Sequence, residues 1–167
     1  MGPLLPPKPG TIRVPFPANG CPGMEAKACT NTGRQVPVWI PAQNAAVDRQ
    51  YFCHGHALGT YTRFGYTVFS GGPLQAVLQD EWNLVGSLHN ARMGDIVVWF
   101  NVHRGAQTRM ADHTALIRTV GFGNGDHIDL KRTMLSSKNG TFPLQQYVSL
   151  FDLVKIYSDG YALYRHR

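Results

Sequence analysis

The run Ile96-Val97-Val98-Trp99-Phe100, entered through Met93-Gly94-Asp95, restricts this chain more than any other stretch. Five consecutive apolar residues cannot alternate between a wet and a dry face. The segment from Asp95 onward therefore predicts a strand buried on both faces. A chain of 167 residues with 43% hydrophobic content is long enough for one domain with a sizeable core, and too apolar for wholesale disorder.

The rest of the pattern divides at about residue 47. Residues 1–47 read as a Pro-rich lead-in or wrapping segment, because Pro3, Pro6, Pro7, Pro9, Pro15, Pro17, Pro22, Pro37 and Pro41 forbid long helices. Within it, Val36-Pro37-Val38-Trp39-Ile40-Pro41 fits an edge strand or a cover over the body. Residues 48–167 hold the body. A helix is predicted over residues 53–63, weakened by Gly55 and Gly59, which in turn permit close packing. A second helix opens at Gly72-Pro73, with Pro at the first helical position and Leu74, Val77, Leu78 and Trp82 at helical spacing. Strands follow at residues 95–100, 113–120 and 127–135, with Gly121-Phe122-Gly123-Asn124-Gly125-Asp126 as a turn. A final hairpin is predicted from residues 153–157 and 161–165 around Ser158-Asp159-Gly160. Helices first and an antiparallel meander after them give an α+β class.

The net charge is +6 and the sequence pI about 9.5, yet Lys and Arg are scattered and never form a basic block. No zinc-finger spacing, RNA-binding aromatic motif or Gly-rich phosphate loop accompanies them, so no nucleic acid partner is expected. The charge suits an anionic surface such as a cell wall. No apolar run approaches the roughly 18 residues of a membrane span. Met1-Gly2-Pro3-Leu4-Leu5-Pro6-Pro7-Lys8-Pro9 lacks the basic and apolar regions of a secretory signal. Export, on this reading, would use a specialised system without a signal peptide, to a target periplasm or a target-cell cytosol.

Chemistry concentrates at Cys53 and His113. Of the three cysteines, Cys21 and Cys29 flank a short loop and could pair in an oxidising compartment, leaving Cys53 free; in a cytosol all three would be reduced. Cys53 opens a predicted helix, where a thiolate is favoured and free backbone N–H groups can hold an oxyanion. His113 opens the strand His113-Thr114-Ala115-Leu116-Ile117 and could take the thiol proton and return it to a leaving group. Folding the next hairpin about Asn124 puts residues 134–137 opposite His113. Ser136 and Ser137 are the polar candidates to orient the imidazole, with Lys138 and Asn139 just beyond; Ser137 is favoured slightly. His54 and His56 are two apart and cannot share a helix face. His56 is expected as a wall of the substrate site, and His54 at the surface or behind the reacting groups.

This order of a Cys at a helix start, Gly94-Asp95 before an apolar strand, His at the mouth of the next strand and a polar residue after it resembles the papain-like superfamily. Within it the order is similar to NlpC-type peptidases and CHAP amidases. Ser137-Lys138-Asn139-Gly140 also resembles a Ser-Lys-x-Gly pattern of bacterial Cys/His proteins. The resemblance covers residues 50–140. It implies a papain-like domain of helices packed on an antiparallel sheet and a cysteine hydrolase of amide bonds. Cys53 would be the nucleophile, His113 the base and acid and Ser137 the orienter, with no cofactor. The substrate would be a peptidoglycan peptide or a protein amide. The implied setting is a bacterial effector or toxin domain, with an immunity protein as partner if it is a toxin. Two positions depart from the pattern: His54-Gly55-His56 follows Cys53 in place of a small Ser-Gly pair, and no His, Asn or Glu occupies the third position.

Two other classes compete. Cys53, His56 and His113 could bind zinc with an open position, although no HExxH or paired CxxC is present. A non-catalytic binding module could line a groove with Trp39, Trp82 and Trp99, residues whose spacing also suits a core.

Overall fold

The computed structural model describes residues 1–7, 21–101 and 110–167. Pro9, Pro15 and Pro17 of the lead-in lie outside the described residues. A two-stranded ribbon comes first, β1 (Gly23–Cys29) against β2 (Gln35–Pro41). Three helices follow: α1 (Cys53–Ala57), α2 (Thr60–Phe64) and α3 (Gly71–Glu81). Then come β3 (Trp82–Val85), β4 (Ile96–Asn101), β5 (Met110–Thr119), β6 (Met134–Ser137), β7 (Gln145–Ser149), α4 (Leu150–Ile156) and β8 (Tyr161–His166). These strands form one antiparallel sheet in the order β3-β8-β4-β5-β6-β7. The fold is α+β, with helices preceding most of an antiparallel sheet. No described helix is long and apolar enough to cross a membrane.

The apolar run is the interior strand β4, between β8 and β5. Ile96 and Val98 face one core with Ala57, Leu74, Val77 and Leu78, and the ribbon contributes Val36 and Val38 to it. Val97 and Trp99 face a second core with Ala115, Ile117, Leu135, Leu150 and Leu153. The preceding Gly-Asp pair has a structural cause. Gly94 takes φ +92°, which a residue with a Cβ avoids. Asp95 is buried and accepts the Arg165 Nε and Nη2 protons at 2.8 and 2.7 Å and the Arg92 backbone N–H at 2.8 Å. That carboxylate fastens β8 to the entrance of β4.

Several sequence expectations are corrected. The helix expected over residues 53–63 is two short helices, because Gly59 turns left-handed at φ +68°. Pro73 is the third residue of α3, not the first; its missing N–H costs nothing there, since first-turn N–H groups have no intrahelical acceptor. Most of residues 127–135 is not strand. The Asp129 carboxylate accepts the Lys131 N–H at 2.9 Å and its carbonyl accepts the Thr133 N–H at 2.9 Å, turning the chain before β6 begins. Residues 153–157 fall in α4, or just past its end, instead of a hairpin arm. Ser149 caps that helix, its Oγ accepting the Asp152 N–H at 3.1 Å. β8 therefore has no hairpin partner immediately before it in sequence and pairs with β3 and β4.

Candidate active site

Cys53 is the first residue of α1, and extended Phe52 before it offers no side-chain cap. The N–H groups of the first turn therefore have no partner inside the helix. A five-residue helix has little macrodipole, so local N–H donors are what this terminus can offer an anion. Gly55 brings α1 against the chain at Thr67: a Cβ at this position would lie 1.8 Å from Thr67 Oγ1.

The two histidines after Cys53 diverge onto different strands. His54 is buried, which corrects any surface placement. Its Nδ1 lies 2.9 Å from Thr114 Oγ1 and 3.6 Å from Cys53 Sγ. Burial pushes its pKa down to about 4, against a small upward pull from Asp112. It is a neutral imidazole near pH 7 and a poor acceptor for a thiol proton. His56 reaches β6, with Nε2 2.8 Å from Ser136 Oγ. Burial lowers its pKa, and the charges of Arg118 and Lys138 lower it further.

His113 is buried and is the fourth residue of β5, not its first as the sequence suggested. Its Nε2 lies 2.8 Å from Ser137 Oγ. Its ring stacks on Tyr157 at 4.2 Å and 6°, with Trp99 tilted at 5.6 Å. Tyr157 in turn donates to Asn139 Oδ1 at 3.1 Å. Burial pushes the Tyr157 phenol up to about 12, with Cys53 and Asp112 adding to the shift. The register differs from the expected one, since Ser137 pairs with Ala115 and not with His113 itself. Ser137 nonetheless projects on the same side of the sheet as His113, two positions along β5.

Strand alternation assigns each pair to a face. His113 pairs with Trp99 and shares the second core, as does Ser137 opposite Ala115. Thr114 and Ser136 lie on the other face, under α1, where His54 and His56 meet them. Adjacent serines on β6 thus hold two imidazoles on opposite faces. Cys53 opens α1, which packs against β5, and its Sγ lies toward His54. Among the described residues, no hydrogen bond joins Cys53 to His113.

The remaining sequence candidates separate. His56 and His113 are on opposite faces, and no group of three His, Cys, Asp or Glu side chains clusters among the described residues, so the zinc set Cys53, His56 and His113 is not assembled. Trp39, Trp82 and Trp99 are all buried; Trp82 borders a small pocket with Met1, Leu58, Phe64 and His166, which neither Trp39 nor Trp99 lines. None of the three cysteines forms a disulfide. Extended β1 stands between Cys21 and Cys29, about 20 Å of chain at the usual rise per residue, so that pair cannot bond while β1 is formed. Tyr157 was not foreseen as a neighbour of His113, because α4 reads as a strand in sequence. Compared with known proteins, the chain matches no family model, no curated protein and no solved structure.

Proposed function

We propose that this chain is a papain-like cysteine hydrolase of amide bonds, with Cys53 as nucleophile, His113 as base and acid and Ser137 as the residue that orients it. The observation that carries the reading is the held imidazole. Ser137 occupies Nε2 at 2.8 Å and Tyr157 fixes the ring plane, which leaves Nδ1 as the nitrogen available for proton traffic. A reduced thiol at an uncapped helix start on an element packed against β5 is the complementary half.

In the described conformation Sγ faces His54. Reaction requires the thiol to turn toward His113 Nδ1. The thiolate then attacks the amide carbon, first-turn N–H groups stabilise the oxyanion, and the imidazolium returns its proton to the leaving nitrogen. Water completes the cycle by the same route. Charge of +6 and the resemblance in motif order support an effector or toxin acting on a peptidoglycan peptide or a protein amide.

The test is expression of wild type, Cys53→Ala and His113→Ala in the bacterial cytoplasm and, separately, in the periplasm. Growth arrest by wild type alone, in one compartment, is the expected outcome. Equal arrest by all three proteins overturns the nucleophile and base assignments.

A further inference from the structure

Lys138 is fully buried, at 0% exposure, immediately after Ser137. Its Nζ donates to the carbonyls of Asp48 and Gly140 at 2.7 and 2.6 Å and lies 5.2 Å from the centre of the Tyr51 ring. Among the described residues no carboxylate forms an ion pair with it. Neutral carbonyls satisfy two of its three protons but leave a whole positive charge uncompensated, which is costly in an interior. The two carbonyls also fix the charge in place: Asp48 lies five residues before Cys53, so Lys138 ties the approach to the nucleophile onto the end of β6.

We infer that Lys138 makes the Cys53 site anion-accepting, so that the preferred substrates carry a carboxylate beside the scissile amide. The substrate claim rests on the hydrolase reading above; the charge claim does not. Burial lowers the Lys138 pKa, while Asp48, Cys21 and Cys53 pull it back up, and the Nζ lies over the ring of Tyr51, two residues before Cys53. Other charges meet this region from each packed element: Asp48 before α1, Asp112 on β5 and Arg118 further along it. His54, His56 and Tyr157 also face it. Asp112 and Arg118 are exposed and Asp48 is half-buried, so solvent and salt screen them more than they screen Lys138.

The experiment compares alkylation of Cys53 by iodoacetate and by iodoacetamide at one pH, with the modified peptide identified by mass spectrometry. In both reactions the thiolate sulfur attacks the CH2 carbon, an S–C bond forms, the C–I bond breaks and iodide leaves. The ratio of the two rates cancels the thiolate fraction and reports the field that an anionic reagent meets. Relative to glutathione, the wild-type ratio is expected to be higher by about five- to tenfold, the scale of one nearby charge at intermediate dielectric. Lys138→Met should bring the ratio back toward that of glutathione, and Lys138→Arg should retain it. A wild-type ratio no higher than that of glutathione overturns the proposal, with no variant needed. Failure of both reagents to reach Cys53 overturns it as well, as does a high ratio unchanged in a folded Lys138→Met. A high ratio in a protein without amidase activity would instead sink the hydrolase reading and leave the charge assignment standing.

Discussion

Substituting Gly55 by Ala sets two physical effects against each other. On helix propensity alone the change should stabilise α1 by about 1 kcal/mol. The structure opposes this, since the new Cβ would lie 1.8 Å from Thr67 Oγ1, 2.6 Å from Thr67 Cβ and 3.0 Å from Thr67 Cα. A new rotamer can move Oγ1, but Cβ and Cα follow the backbone, and Thr67 is bridged to Trp39 by two backbone hydrogen bonds of 2.9 and 2.8 Å. The cost therefore belongs at the upper end of the overpacking range, about 3 kcal/mol. The net expectation is a loss of about 2 kcal/mol, or roughly 4–8 °C in Tm for a domain of this size. Urea and thermal unfolding of Gly55→Ala measure it directly. Gly55→Ala with Thr67→Gly should recover part of the loss, a positive coupling in a double-mutant cycle. An unchanged or raised Tm for Gly55→Ala would refute the close approach of α1 to this segment, and with it the placement of Cys53.

Three further outcomes are expected. Asp95→Ala removes the buried partner of Arg165 and should cost about 3 kcal/mol, with Asp95→Ala plus Arg165→Met less destabilised than additivity predicts by chemical denaturation. Near-additive losses would deny the pair. His54 binds its proton less readily folded than unfolded, so its contribution is complete above the unfolded pKa near 6.5 and lost as pH falls toward its folded pKa of about 4. The span amounts to about 3 kcal/mol. Unfolding free energies should rise between pH 4 and 6.5, less steeply in His54→Gln; an equal slope in both would contradict the burial of this ring. Ser137→Ala should lower turnover about tenfold while Ser136→Ala changes it less than about threefold; the reverse order would move the active face to the His56 side.

What could be seen in the sequence was whatever a short window determines. The β4 run has no polar face and so announced an interior strand, and Leu74, Val77 and Leu78 announced α3. Ser149 and Asp152 carried the signal of a helix start, but the apolar residues after them fit a strand equally well in so short a run. The excursion between β5 and β6 was illegible in register because Asp129 turns the chain through side-chain and main-chain hydrogen bonds that alternation does not encode. Ser137 was still identified beside His113, since parity survives where exact pairing does not. The burial of His54 and the stacking of Tyr157 depend on contacts between residues 60 and 44 positions apart, and no local pattern reports those.

The paired serines of β6 have a consequence for errors in strand pairing. A slip by one residue normally exchanges the whole content of the two faces of a strand. Here one direction of slip would bring Ser136 to the place of Ser137, so His113 would still find a hydroxyl while His56 met Leu135. The opposite slip would keep a hydroxyl for His56 and present Lys138 to the aromatic core. The duplicated letter therefore makes one misalignment nearly silent at His113, and the lysine after it makes the other prohibitive. The strand proofreads itself in a single direction, which leaves a misaligned but still hydrogen-bonded form as the trap to look for during refolding.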